Sequence, residues 1–202
     1  MHRRRSPTFV RRTCVAYRVT SYDVPLWVDP NRRSGRWNIA GWEPTQYMAL
    51  DTEAPFAEVL RHEDLRTEEA ASHFSATEWQ LQVDDAMLVD YSTFELADAA
   101  GFDAQALVED DHERCQAEAQ WLLSEGARGV LSPSAALPGS TNLTLFGPRV
   151  RVPWGSAAGL ASSIPAQPLV TGHPPRGLTA RVRYFGQPEP LVEAYLEVRR
   201  NG

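Results

Sequence analysis

The sequence contains no lysine, and all 20 of its basic residues are arginine. We interpret this as the codon usage of a GC-rich genome and not as a requirement of the chemistry. Five arginines and no acidic residue fall within residues 1–12, so removing them from the formal net charge of −6 leaves −11 on the remainder. An acidic body is unlike a duplex-binding surface, so we expect nucleic acid only through a partner. The basic arm, residues 1–12, is expected to be flexible, with contact to nucleic acid or an acidic partner as the alternative.

Cysteine is almost absent, and long apolar runs are absent altogether. The two cysteines, Cys14 and Cys115, are far apart and form no CxxC, which excludes a disulfide scaffold and fits a reducing compartment. No run of 18 apolar residues exists, and the N-terminus lacks the apolar segment of a secretory signal. These absences predict a cytoplasmic protein without a membrane span. A length of 202 residues predicts one domain over residues 13–202.

Several standard catalytic motifs are also missing, namely GxGxxG, GxxxxGK[ST], HExxH and GxSxG. One stretch, DDHERC over residues 110–115, places Asp, His, Glu and Cys together and raises the alternative of a metal site. Acidic residues at the start of a helix complement its dipole, and this explains the stretch better. We therefore expect no metal.

The hydrophobic patterns predict an α+β fold with a central β-sheet flanked by helices. In the predicted helix over 51–63, Asp51 or Thr52 can cap the N-terminus and Pro55 falls in the first turn. The predicted elements are strands at 13–20 and 46–50, a strand pair over 78–91, a strand, loop and strand over 128–146, a closing hairpin at 177–186 and 191–200, helices at 51–63, 92–101 and 111–126, and a long irregular loop over 152–176.

The stretch GRWNIAGWEPTQYMALDTEAPFAEVL, residues 35–60, places Arg36, Tyr47 and Glu58 at equal intervals of 11 residues. At roughly 100° per residue, Glu58 points about 140° away from the apolar stripe of its helix, so it faces either solvent or a cleft. Arg18 lies inside a predicted strand, where a charge must reach solvent or a partner. Taken singly, each residue has an ordinary structural explanation; their order and spacing carry the signal.

The ordered set YR, GRWN, a tyrosine, APFAEVL, PSA and NLTLF resembles the RES domain family, which is named after Arg, Glu and Ser. The resemblance covers about residues 14–147. Pro55 stands where the family more often has alanine, and the tail after residue 150 does not align. The matching positions are Arg18 and Arg36 as the family arginines, Tyr47 as the tyrosine, Glu58 as the glutamate, Ser134 as the serine and Asn142 as the asparagine.

The resemblance implies a fold similar to that of ADP-ribosyltransferases and the role of toxin in a toxin–antitoxin module. The implied activity is cleavage of NAD+ at the nicotinamide–ribose bond, by phosphorolysis or hydrolysis. NAD+ is then a substrate, inorganic phosphate a possible co-substrate, and no prosthetic group is expected. The implied partner is an Xre-type antitoxin that covers the site. The implied assembly is a homodimer or a toxin–antitoxin hetero-oligomer.

The chemistry gives each matched residue a role. Cleavage passes through an oxocarbenium-like state, which the carboxylate of Glu58 can stabilise, with Arg36 as the second catalytic residue. Arg18 and Arg36 can bind the pyrophosphate, and Tyr47 can stack on nicotinamide. Ser134 and Asn142 can bind ribose or phosphate oxygens; no motif places a base near Ser134, so it is not assigned as a nucleophile. The alternatives are an ADP-ribosyltransferase acting on a macromolecule and a non-catalytic binding module.

Overall fold

The computed structural model describes residues 6–156 and 162–201, and these form a mixed α+β domain with a central sheet and flanking helices. The strands are β1 Phe9–Thr20, β2 Thr45–Ala49, β3 Ala76–Asp90, β4 Gly129–Pro133, β5 Thr141–Phe146, β6 Val150–Val152 and β7 Ser163–Gly172. The helices are α1 Ala54–His62, α2 Glu68–Ser72, α3 Phe94–Ala99, α4 Glu113–Ser124 and α5 Pro190–Asn201, with 3₁₀ helices at Ala104–Leu107 and Leu178–Ala180.

The strands pair in the order β1-β2-β5-β4-β3-β7-β6, and β1 also pairs with β3. This second pairing closes β1, β2, β5, β4 and β3 into a ring. The β3–β4 and β6–β7 pairs are parallel, and the other pairs are antiparallel. A ring of this kind has one enclosed face, which the sequence must fill with apolar side chains.

Leucines on alternate positions fill that enclosed face. In β5, Leu143 and Leu145 are buried there together with Leu81, Leu88 and Leu131 of neighbouring strands. A second apolar cluster lies between the sheet and helices α3, α4 and α5, and a third lies beneath α1. The period of two along β5 places Asn142 and Thr144 on the opposite face from the leucines.

Most elements that the sequence predicts are confirmed. Helix α1 begins at Ala54, and the carboxylate of Asp51 accepts hydrogen bonds from the backbone N–H groups of Glu53 (3.0 Å) and Ala54 (2.8 Å). Strand β1 begins at Phe9, four residues earlier than predicted, so the end of the basic arm is part of the sheet. Residues 1–5 of that arm lie outside the described residues.

The prediction of a strand pair over 78–91 is wrong, because β3 is one strand of 15 residues. The acidic Asp84 and Asp85 are not in a turn; β1 pairs with β3 on both sides of them, with a register shift between Val10 and Arg12. Asp85 accepts a hydrogen bond from the backbone N–H of Met87 (2.9 Å), which accommodates this irregularity.

The predictions for the tail are also wrong. The expected hairpin at 177–186 and 191–200 is replaced by a 3₁₀ helix and by α5, whose start is capped by Glu189 through the N–H of Val192 (2.5 Å). Val192, Tyr195 and Leu196 have helical spacing and pack on the core. The expected loop over 152–176 contains β7, and its residues 157–161 lie outside the described residues.

Candidate active site

A cleft of about 240 Å³ opens between α1 and the face of the sheet that carries Asn142 and Thr144. The sequence-predicted residues Arg18, Arg36, Tyr47, Glu58 and Asn142 all line it, although up to 124 positions separate them in the chain. The other lining residues are Val19, Trp37, Met48, Ala49, Pro55, Val59, His62, Glu63, Ser132 and Thr144.

Glu58 is half-buried on the side of α1 that faces the cleft. One carboxylate oxygen, Oε1, accepts hydrogen bonds from Ser134 Oγ (3.0 Å) and Asn142 Nδ2 (2.7 Å). No residue within the described ranges donates a hydrogen bond to Oε2. The carboxylate is thus held through one oxygen, and the other is available to a ligand.

Ser134 is the one predicted site residue that does not line the cleft; it lies behind Glu58 and is buried. Its hydroxyl accepts hydrogen bonds from the backbone N–H groups of Ala136 (3.2 Å) and Leu137 (3.0 Å), so its proton is directed to Glu58. These contacts make Ser134 a support for Glu58. A direct contact of Ser134 with a substrate stays a prediction.

Arg18 is 8% exposed, and burial lowers the pKa of its guanidinium to about 10, so it remains charged at neutral pH. It donates to the side-chain oxygen of Gln46 (3.1 Å) and packs over the ring of Trp27 at 5.0 Å. Gln46 is itself fixed by hydrogen bonds with the backbone of Trp27 and Gly147. The charge of Arg18 is therefore held in place by neutral groups.

Arg36 is half-buried and donates to the backbone carbonyl of Ala106 (3.1 Å). The thiol of Cys115 donates to the same carbonyl (3.1 Å), and burial raises its pKa to about 11, so the thiol stays neutral. Within the described part of the chain, neither Arg18 nor Arg36 forms an ion pair with a carboxylate. Two charged guanidiniums without carboxylate partners in one cleft favour an anionic ligand.

Tyr47 fixes the segment that carries Arg36. Its hydroxyl accepts a hydrogen bond from the backbone N–H of Trp37 (2.9 Å) and donates to Asn38 Oδ1 (2.8 Å). A Cβ on Gly35 would approach that hydroxyl to 2.7 Å, so only glycine fits there without displacing the tyrosine. Burial raises the pKa of Tyr47 above its usual range, and the hydroxyl therefore remains protonated.

Sequence reasoning missed Thr144, which is 1% exposed and lines the cleft opposite Tyr47 in the strand register. Among residues 6–156 and 162–201, its hydroxyl oxygen and the side-chain oxygen of Asn142 have no hydrogen-bond partner. The Asn142 orientation is fixed, because its amide nitrogen must face the Glu58 carboxylate. Alternation along TNLTLF was the available signal, because it places Thr144 on the same face as Asn142.

The stretch DDHERC forms the start of α4. His112 is the N-cap residue, and Asp111 just before it accepts a hydrogen bond from the N–H of Glu113 (2.9 Å), so an acidic side chain lies at the N-terminus of the helix. Among the described residues, no group of three or more His, Cys, Asp or Glu side chains is placed to hold a metal ion. Over the same residues, no helix combines the length and apolar character needed to cross a bilayer.

Comparison with known proteins shows the family to which the chain belongs. The RES domain family model matches residues 15–159, and the chain belongs to this family. Among solved structures, a chain in the crystal structure of the M. tuberculosis MbcT–MbcA toxin–antitoxin complex is similar in fold, with a TM-score of 0.62 and 23% identity. The likeness covers 87% of this chain and 91% of that chain. No curated protein matches the sequence.

Proposed function

We propose that this protein is the NAD+-degrading toxin of a toxin–antitoxin pair. It cleaves the bond between nicotinamide and ribose and transfers the ADP-ribosyl group to phosphate or water. The observation that carries this proposal is Glu58, a carboxylate held by Ser134 and Asn142 through one oxygen in a cleft that also contains Arg18 and Arg36. An anion-binding cleft with one fixed carboxylate suits a substrate that has a pyrophosphate and develops positive charge at one carbon.

In the reaction, the bond between ribose C1′ and the nicotinamide nitrogen breaks, and its electron pair leaves with neutral nicotinamide. Positive charge develops on the ribose, and the carboxylate of Glu58 stabilises it. An oxygen of phosphate or water then bonds to C1′. With water as acceptor, the proton that water loses is released to solvent, and the products are ADP-ribose and nicotinamide.

The arginines and Tyr47 serve binding in this proposal. Arg18 and Arg36 pair with the pyrophosphate through guanidinium forks, or one of them binds the incoming phosphate. Tyr47 lines the cleft beside them and offers its ring to nicotinamide, since its hydroxyl is already engaged by Trp37 and Asn38. Asn142 and Thr144 offer oxygen atoms without partners to the N–H or O–H groups of the substrate.

The proposed function also implies a protein partner and a similarity to a known fold. An enzyme that consumes NAD+ in the cytoplasm of its own cell requires an inhibitor, and we propose an antitoxin of the Xre type that covers the cleft. The closed five-strand ring with a glutamate in an anion-binding cleft supports a relationship to the ADP-ribosyltransferase fold. NAD+ is the substrate, and no prosthetic group takes part.

The test is a mass-spectrometric time course with purified protein and NAD+, with and without inorganic phosphate. Glu58→Ala is expected to lose about 10²–10³ in rate, because a fixed electrostatic partner of the transition state is removed. Glu197→Ala is the matched control, since Glu197 is an exposed helical glutamate in α5, and it should retain full activity. Circular dichroism checks that both variants fold.

The products distinguish the acceptors. Nicotinamide together with phosphorylated ADP-ribose, formed only with phosphate present, indicates a phosphorylase. Nicotinamide with plain ADP-ribose indicates a hydrolase, and ADP-ribose attached to an added protein or nucleic acid indicates a transferase. Full activity of Glu58→Ala, or no nicotinamide from the wild-type protein, would contradict the proposal.

A further inference from the structure

The family match ends at residue 159, yet a later segment packs along the helix that carries Glu58. We call residues 177–187 the strap. The strap contacts the residues on either side of α1: Arg181 pairs with Glu53 before it (2.8 Å), and the hydroxyl of Tyr184 donates to the carbonyl of Leu65 after it (2.7 Å). Thr179 also forms a hydrogen bond with Glu68 of the next helix, α2. The segment that the family resemblance leaves unaligned therefore packs against α1, the helix that contributes Glu58 to the cleft.

Arg183 is the buried centre of the strap, with 8% exposure. Its backbone N–H donates to the carbonyl of Ala136 (2.8 Å), and its side chain donates to the carbonyls of Val108 (2.9 Å) and Ala135 (3.3 Å). The same guanidinium lies 3.3 Å from the carboxylate of Asp110. A single side chain thus ties the β4–β5 loop, residues 134–140, to the segment before α4.

Arg61 reaches the same carbonyl from the other side. It lies on α1, three residues after Glu58, is 2% exposed, and donates to the carbonyls of Ala135 (2.5 Å) and Arg183 (2.9 Å). It also pairs with Asp110 (2.5 Å), so one carboxylate accompanies two buried guanidiniums. The carbonyl of Ala135, which Arg61 and Arg183 share, thereby fixes the position of α1 relative to the loop.

That loop is the one that positions the carboxylate. Ser134 immediately precedes Ala135, its hydroxyl accepts from the N–H groups of Ala136 and Leu137, and it donates to Glu58. Arg183 contacts the next two residues of this loop: its side chain donates to the carbonyl of Ala135, and its backbone N–H donates to the carbonyl of Ala136. Arg183 is thus connected to the carboxylate of Glu58 through two hydrogen bonds and the two consecutive loop residues Ala135 and Ser134.

We infer that Arg183, supplied by the strap outside the family match, is a positioning residue that keeps Ser134 in hydrogen-bonding reach of Glu58. The inference rests on the proposed function for its kinetic consequence. Misplacement of a reacting group by about 1 Å can cost about 10² in rate even when the mutation is far from the chemistry. Removal of the Arg183 side chain takes away the donor to the carbonyls of Val108 and Gln187. It also removes one of the two donors to the carbonyl of Ala135, which loosens the loop.

The kinetic test compares Arg183→Ala and Arg183→Lys with Arg181→Ala in the full-length chain. Arg181 is the matched control, since it belongs to the strap but its pair with Glu53 is largely exposed. Arg183→Ala should lower kcat for NAD+ cleavage by about 10²-fold with a smaller change in KM. Arg183→Lys should lie between it and wild type, because lysine keeps the charge without the planar fork. Arg181→Ala should match wild type.

A double-mutant cycle separates positioning from a general loss of stability. If Arg183 acts through Ser134, the effect of Arg183→Ala on kcat should be much smaller in a Ser134→Ala background than in wild type. Equal effects in both backgrounds would overturn the inference, as would an unchanged kcat in Arg183→Ala. If Arg183→Ala fails to fold, the same cycle is carried out with Arg183→Lys.

Hydrogen exchange gives a readout that does not depend on activity. The N–H groups of Ala136 and Leu137 bond Ser134, so Arg183→Lys should exchange faster over residues 134–140 while the remaining chain exchanges as in wild type. Unchanged exchange in this loop contradicts the inference even if NAD+ is cleaved. Faster exchange in the loop of a protein that leaves NAD+ intact supports the positioning role and contradicts the proposed function instead.

Discussion

At the scale of single residues, the cleft is defined by how its polar side chains are held. Glu58 gives one oxygen to Ser134 and Asn142, and Arg18 is held by Gln46 and the ring of Trp27. These charges are buried or half-buried, where the low dielectric makes their interactions with a ligand stronger than in water. In the proposed reaction, the site therefore needs little rearrangement to bind an anion and stabilise a developing cation.

Tyr47 shows that one side chain can serve two purposes. The sequence predicts stacking on nicotinamide, and the structure places the tyrosine in the cleft with its hydroxyl fixed by Trp37 and Asn38. The hydroxyl therefore orders the turn that carries Arg36, while the ring remains for a ligand.

Tyr47→Phe should consequently weaken both stability and substrate binding. It leaves the N–H of Trp37 and the oxygen of Asn38 without a partner, and both residues are buried. We expect a loss of about 1–3 kcal/mol in the free energy of unfolding, measured by urea denaturation, together with a higher KM for NAD+. Tyr22→Phe is the control, because Tyr22 is 63% exposed. Equal stability of the two variants would contradict this role of the hydroxyl.

At the scale of secondary-structure elements, two helices contribute residues near the cleft: α1 through its cleft-facing side, and α4 through its N-terminus. Helix α1 presents Glu58 to the cleft, and the start of α4 brings His112 near Arg36 and Arg61. Burial, followed by the electrostatic effects of Arg36, His62 and Arg61, lowers the pKa of His112 to about 4. The folded protein therefore keeps His112 neutral.

This pKa predicts a loss of stability in acid. Between pH 6.5, the ordinary value for histidine, and about 4, the unfolded chain binds a proton at His112 that the folded chain does not. The stabilisation is thus present above pH 6.5 and is lost as the pH falls through this window. Thermal unfolding of wild type and His112→Gln at about pH 7.5 and pH 4.5 should show a smaller acid-induced drop in the variant.

The matched control for this measurement is His73→Gln, since His73 is exposed at the end of α2. Carboxylates contribute to the acid sensitivity of all three proteins, so only the difference between variants is diagnostic. If His112→Gln loses as much stability in acid as His73→Gln, the neutral state of His112 in the folded protein is refuted.

At the scale of the whole molecule, the closed ring of strands couples the core to the cleft. Strand β5 lies between β2 and β4, and its side chains alternate: Leu143 and Leu145 fill the enclosed face, while Asn142 and Thr144 line the cleft. The pairings Asn142 with Ala49 and Thr144 with Tyr47 hold that register. A slip of one residue would exchange the two faces, so core packing fixes the position of the site.

Leu143→Ala should accordingly cost about 2–5 kcal/mol, because Leu143 is fully buried and a cavity would remain. For a domain of this size, each kcal/mol lowers Tm by about 2–4 °C. Differential scanning calorimetry measures the shift, with Leu191→Ala as the control, since Leu191 is 47% exposed in α5. A Tm for Leu143→Ala close to that of the control would contradict this prediction and would mean that the core repacks to fill the cavity.

The sequence by itself determined the α+β class, most strands of the ring, α1 with Asp51 before its start, and five of the residues that line the cleft. These features depend on local hydrophobic period, turn residues and an ordered motif, which are all readable along the chain. The alternation in TNLTLF could also have identified Thr144, because it repeats the face of Asn142 two residues later.

Only the tertiary structure decided the rest, because those features depend on contacts between distant segments. The pair Asp84 and Asp85 predicts a turn locally, but pairing with β1 keeps β3 continuous across it. The segment LVEAYLEVRR alternates as a strand would, yet α5 forms because Val192, Tyr195 and Leu196 pack on the core. Ser134 meets Glu58 only when the β4–β5 loop packs against α1, and Arg183 reaches that loop only when the strap folds. No local pattern relates positions that are 76 and 48 residues apart.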